Sequence, residues 1–276
     1  MSRIAAETRH IRVGSGGVML PHYSPYKVAE NFRLLETLYP GRIDLGIGRA
    51  PGSDMVTAQA LAYGSPIGID YFANKVSDLQ AFLKGETPVT KGLENVVATP
   101  RCDTEPEMWM LGSSEQSAMF AAHFDLPYSF AHFIAPEQSL SCVAQYQELC
   151  RQAGVTARTN LGAFVICAET DQRAEALARC RDLWRVRFEK GDPGPCPSVE
   201  EAAAYEFSAA EDARLESRRK HTIAGTPDKV KARLIALGEA HHVDEMVIVT
   251  ICHDYDDRAR SYQLLADAFS LQQQAA

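Results

Sequence analysis

Short apolar runs alternate along the chain with segments whose apolar residues recur every three or four positions. The first kind predicts buried strands and the second amphipathic helices. "HIRVGSGGVML" reads as a strand, although Gly14, Gly16 and Gly17 fall in its middle. Glycine weakens a strand and marks a bulge, a kink or a close approach to the backbone. Ser24 and Pro25 then start a helix with Val28, Phe32, Leu35 and Tyr39 on one face, and Pro40-Gly41 stops it. "RIDLGIG" is a second strand, followed by the glycine-rich loop "RAPGSD" and a helix around Tyr71 to Leu83. Residues 85–106 are polar and turn-rich. "EMWML" is a strand that runs through "GSSEQSAMFAAHF" into a helix, and "PYSFAHF" is a short strand. The helix "PEQSLSCVAQYQELCRQAG" ends at Gly154, "NLGAFVICA" is a strand, and "TDQRAEALARCRDLWRVRFEK" is a long helix. Residues 190–224 follow no clean period and read as a lid-like insertion. Thr226-Pro227 opens another helix, "VDEMVIVTI" is the last strong strand, and a helix through "SYQLLADAF" closes the pattern.

Strands alternating with helices imply βαβ units and a parallel sheet, hence an α/β fold. A closed barrel and an open doubly wound sheet both satisfy this order. The 276 residues carry a net charge of −8 and no basic run longer than Arg218-Arg219-Lys220, which argues against a nucleic-acid partner. The seven cysteines form no CxxC pair and no metal-ligand spacing, so they read as reduced thiols of a cytoplasmic protein, with no metal expected. No apolar stretch approaches membrane-spanning length, and the N-terminus lacks the apolar core of a signal peptide.

Chemistry concentrates at strand ends. After "EMWML" come Gly112, Ser113 and Ser114, and a helix begins at once with Ser117 in its first turn. Small residues, hydroxyls and a helix N-terminus together suit an anion such as phosphate, although Ser114 as a simple helix cap explains the same residues. In "LGIGRAPG" the glycine spacing misses the dinucleotide fingerprint by one residue. Arg49 there is either a cation at a strand mouth or a surface arginine in a turn. His22 and His132 stand just beyond strands and are candidate donors, acids or bases. No nucleophile elbow and no Walker-type phosphate loop occurs, which counts against a hydrolase of the α/β type and a P-loop nucleotidase.

Four segments carry a resemblance to the bacterial-luciferase-like flavin monooxygenases: "IRVGSGGVMLPHYSPYKVAENFRLLETLYPGRIDLGIGRAPG", "WMLGSSEQSAMFAAHFDLPYSFAHF", "AGTPDKVKARL" and "VDEMVIVTICHDYDDRARSYQLLA". The resemblance implies one TIM-type (β/α)8 barrel domain over residues 1–276, beginning near the third strand, with two βα units and a strand-two histidine absent from the front. It implies FMN, reduced by a separate flavin reductase, reacting with O2 on a small organic substrate. Gly16-Gly17 matches a bulge with a non-proline cis peptide beside the flavin ring. Ser114 and Ser117, with Gly112 and Ser113 beside them, match the phosphate site. Arg49 matches the phosphate arginine, and Lys75 is the cation nearest a second one. His132 would stand near the substrate. A shortened, non-catalytic flavin-binding member and an oxidoreductase using the deazaflavin F420 are the alternatives. The resemblance further suggests a homodimer.

Overall fold

The computed structural model describes residues 1–50, 52, 54–63, 68–192 and 194–271. They fall into two compact units: Met1–Phe130 with Ser141–Thr159, and Ala131–Leu140 with residues 160–271.

The first unit begins with α1 (Ser2–Glu7), β1 (Val13–Met19), α2 (Pro25–Leu38) and β2 (Ile43–Gly48). It continues through α3 (Met55–Ala62), α4 (Phe72–Lys84), β3 (Glu107–Gly112), α5 (Glu115–His123) and β4 (Tyr128–Phe130). Most of α6 (Ser139–Ala153) belongs to it as well. The four strands pair in parallel in the order β1-β2-β3-β4. Ile43, Leu45 and Ile47 of β2 are fully buried, as expected of a parallel strand between two neighbours. Helix α2 starts at Pro25 after Ser24, and Val28 and Phe32 are buried as the periodicity predicts.

That helix also buries two charged residues. Arg33 donates to the carbonyls of Phe82 and Leu83, both at 2.8 Å, and to Pro100 at 2.7 Å. It thereby satisfies acceptors that the end of α4 leaves open. The Glu36 carboxylate accepts from the Gly41 N–H at 2.6 Å and the Thr104 hydroxyl at 2.5 Å, tying down the chain that enters β2.

The second unit contains β5 (Thr159–Cys167) from Asn160 onward, α7 (Asp171–Glu189), α8 (Val199–Ala204), α9 (Ala209–His221) and β6 (Ile223–Gly225), then α10 (Pro227–His241), β7 (Glu245–Val249) and α11 (Tyr255–Ala268). Strand β5 pairs in parallel with both β6 and β7. Ala163, Val165 and Cys167 pack with Ile223, Val230, Leu234, Leu264 and Leu265.

Residues 190–224 contain two helices and a strand that periodicity missed. Ser198 with Glu201, and Ser208 with Glu211, close capping boxes on α8 and α9. Helix α9 buries only Glu211 and Leu215, too little to leave an apolar stripe. The seven cysteines are unpaired. No helix among the described residues is long and apolar enough to cross a membrane.

Candidate functional site

In the first unit β3 hands the chain to α5 across Gly112, Ser113 and Ser114. Ser114 is the N-cap, and a capping box links it to Ser117. The Ser117 N–H donates to Ser114 Oγ at 3.4 Å, and the Ser114 N–H donates to Ser117 Oγ at 3.2 Å. The Ser117 hydroxyl itself donates to the Ser114 carbonyl at 2.6 Å and lies 2.9 Å from the Tyr128 hydroxyl. Tyr128 also donates to the Ser114 carbonyl, at 3.2 Å. Burial pushes the Tyr128 phenol pKa upward, so it stays protonated as a donor.

A Cβ built on Gly112 would stand 2.1 Å from Ser117 Oγ, so only glycine lets the first turn of α5 fold back over the strand end. The proton of Ser117 is spent on the cap. The Ser114 hydroxyl, and the first-turn N–H groups that no helix can satisfy internally, are the donors this turn can offer an anion.

The bulge lies on the neighbouring side of the same sheet. Gly16 pairs with Gly46 and Val18 with Ile47, so Gly17 is the extra residue, and the Gly16–Gly17 peptide is cis. A Cβ on Gly17 would lie 2.4 Å from Leu111 Cδ1 and 2.7 Å from the Gly46 carbonyl. A Cβ on Gly46 would lie 2.3 Å from the Ser15 carbonyl. These glycines are required by contact among β1, β2 and Leu111. Gly16 differs, since a Cβ there meets nothing within 4 Å. Its face is where a flat group can approach the backbone.

Arg49 follows β2 directly. Continuing the Ile47↔Met110 register sets it beside Gly112, at the end of the sheet where α5 begins. It is half-buried and makes no ion pair among the described residues.

Lys75, on α4, sits differently. Its ammonium donates to the carbonyls of Pro21 at 2.7 Å, Tyr23 at 3.1 Å and Leu20 at 3.3 Å. An ammonium has three donors, and three carbonyls take them. Burial lowers its pKa. The side chain clamps the turn after β1, which also carries His22.

His132 belongs to the second unit. It is buried, with the His221 and His241 rings edge-on at 6.0 and 6.2 Å. Burial, then the neighbouring His241 and His221, brings its pKa down to about 4, so it is neutral at pH 7. It lines a cavity of about 370 Å³.

The structure therefore brings Arg49, Gly112, Ser113, Ser114 and Ser117 to one end of one sheet, with Gly16 and Gly17 at mid-strand in β1 of the same sheet. Sequence reasoning missed Tyr128, whose hydroxyl serves both serines, and Leu111, which packs against Gly17 and Gly46 where the Gly46 and Ser15 carbonyls leave no room for a Cβ. Both look like ordinary core residues in the sequence, and no local signal separates them from other apolar strand positions. Residues 1–243 match the family described as Luciferase-like monooxygenase. YwcH of Bacillus subtilis (strain 168) is 43% identical over 273 residues, spanning 98% of this chain and 82% of the relative. The N-acetyl-S-alkylcysteine monooxygenase of the same strain is 35% identical over 266 residues, spanning 96% and 80%. The crystal structure of apo-MsnO8 superposes with a TM-score of 0.83 at 35% identity, covering 98% of this chain and 81% of that one. The chain belongs to the luciferase-like monooxygenase family.

Proposed function

We propose that the chain is an FMN-dependent monooxygenase acting on a small organic substrate, with its flavin phosphate held at the start of α5. One observation carries this reading. A serine-capped helix start, a glycine strand end and an arginine without an ion pair among the described residues meet at one end of a parallel sheet, the usual ligand-binding end of such sheets. Ser114 and the first-turn N–H groups would hold the phosphate oxygens, and Arg49 would neutralise them. Ser117 and Tyr128 fix the shape of the Ser114 peptide. Gly16 leaves room for a planar ring against β1. The phosphate cation in this reading is Arg49, while Lys75 holds the 20–23 turn that borders the bulge.

The bound reduced flavin would supply the electrons and the site at which O2 is activated. The protein binds it, orients it and excludes water. His132, neutral at pH 7, would present an imidazole to the substrate as hydrogen-bond donor or acceptor. The relative that oxidises N-acetyl-S-alkylcysteines suggests an N-acylated amino acid with a thioether as the substrate class. A separate flavin reductase, a homodimeric state and a cytoplasmic location complete the proposal.

The test is direct. Titrating the purified chain with FMN should perturb the flavin visible spectrum. Adding NADH, a flavin reductase and an S-alkylated N-acetylcysteine should then give substrate-dependent oxygen uptake. Failure to bind FMN would overturn the reading. Turnover only with F420 would reassign the cofactor.

A further inference from the structure

The second unit contains a cavity lined in part by His132. Its volume is about 370 Å³, and it is bounded by the 132–138 turn, Phe164 of β5, Arg181 of α7 and one side of α9. Three arginines line it: Arg181, Arg214 and Arg218. Arg218 makes no ion pair among the described residues, and Arg214 has only a loose one, with Glu189 at 3.6 Å. Arg181 makes none either. Its guanidinium lies over the Phe164 ring, 3.9 Å from the centroid, and donates to Thr222 Oγ1 at 3.1 Å. One carboxylate, Glu137, lines the cavity against these three cations, and Ser217 donates to it at 3.0 Å.

A partly buried guanidinium without an ion pair is costly to keep, and Asp182, the carboxylate that acts on Arg181, is bonded to Arg219 at 2.6 Å. Arg181 is nevertheless held there, over the Phe164 ring and by its bond to Thr222. That arrangement presents its outer N–H donors to a planar anion. Two more cations stand one helical turn apart on α9, at positions 214 and 218, facing the same space. Phe164 and Phe133 supply apolar wall beside the charges. The chemistry asked for is an organic anion with an apolar portion, small enough for one cavity.

We propose that this cavity is a carboxylate-selective site of the second unit, in which Arg181, Arg214 and Arg218 hold the carboxylate of a small organic acid. His132 and His221 lie within the same cavity and would stand beside the bound molecule.

The experiment uses the full chain without flavin. Isothermal titration compares N-acetyl-S-methylcysteine, N-acetyl-S-benzylcysteine and phenylacetate, each beside its primary amide, with inorganic phosphate as competitor. At least one acid should bind at least about tenfold more tightly than its amide, as expected when a charge-assisted hydrogen bond is lost. Arg214 and Arg218 lie on the exposed side of α9, so R214Q/R218Q should fold with an unchanged melting temperature. That variant should lose the preference for the acid about tenfold or more, and R214K/R218K should retain part of it. Equal binding of acid and amide, or of wild type and R214Q/R218Q, overturns the proposal, as does the absence of binding by every acid at millimolar concentration. Tighter binding of phosphate than of any carboxylate overturns it too. FMN binding is read separately in the visible spectrum, so a chain that binds carboxylate but no flavin removes the flavin reading alone.

Discussion

The Ser117 hydroxyl lies 2.9 Å from the Tyr128 hydroxyl, and both oxygens close on the Ser114 carbonyl. A residue of β4 thus sets the geometry of the first turn of α5. In the proposed reading Ser117 shapes the anion site, and Ser114 is left to contact the anion.

The two serines are therefore expected to behave differently. Ser114→Ala should weaken FMN roughly tenfold or more while leaving riboflavin, which has no phosphate, nearly unchanged. Ser117→Ala should in addition lower stability by about 1 kcal/mol through loss of the cap. Fluorescence titration with both flavins and urea denaturation separate the two effects. Equal loss for FMN and riboflavin in Ser114→Ala would remove the phosphate from this turn.

Gly16 and Gly17 are adjacent but carry opposite constraints. Gly17→Ala forces a methyl onto Leu111 and the Gly46 carbonyl and should cost about 3 kcal/mol or prevent folding. Gly16→Ala meets no protein atom and should melt like wild type. Its flavin affinity should nonetheless fall for FMN and riboflavin alike, since both place the same ring there. Thermal melts and flavin titrations of the two variants check this pair.

In the proposed reading Lys75→Met removes a clamp rather than a phosphate ligand. Stability should fall by about 1–3 kcal/mol, because three carbonyls lose a charged donor. FMN and riboflavin should weaken together. A loss confined to FMN would return Lys75 to the phosphate.

Arg33→Met leaves the carbonyls of Phe82, Leu83 and Pro100 without their donor. The expected cost is about 3 kcal/mol in chemical denaturation. The flavin dissociation constant of the protein that remains folded should not change.

His132 gives the protein an acid-sensitive element. Its pKa is about 4 when folded and near 6.5 when unfolded, so the unfolded chain binds the proton first. The stability that depends on a neutral His132 is complete above about pH 6.5 and declines as the pH falls toward 4. His221 and His241 face the same ring and add to the repulsion when protonated. His132→Gln should flatten the decline in melting temperature between pH 7 and 4 relative to wild type. An identical profile in both proteins would refute the assignment.

Local physics settled much of this protein from the sequence alone. The Ser24-Pro25 helix start, the Gly154 stop and the Ser114 cap each depend on neighbouring residues along the chain, so the linear pattern carries them. The glycines of β1 likewise announced a close approach before any strand was paired. What the linear pattern could not hold were distances across the fold. Lys75 meets the carbonyls of residues 20, 21 and 23 more than fifty positions away, and nothing near it in sequence marks that use. Helix α9 escaped the periodic reading because only Glu211 and Leu215 are buried on it. Of the short basic run Arg218-Arg219-Lys220, packing sets only Arg218 on the cavity that Arg181 lines, with Arg214 one turn before it. A helix end or a turn is encoded by its own residues, whereas a site whose parts come from different elements exists only once the chain has closed on itself.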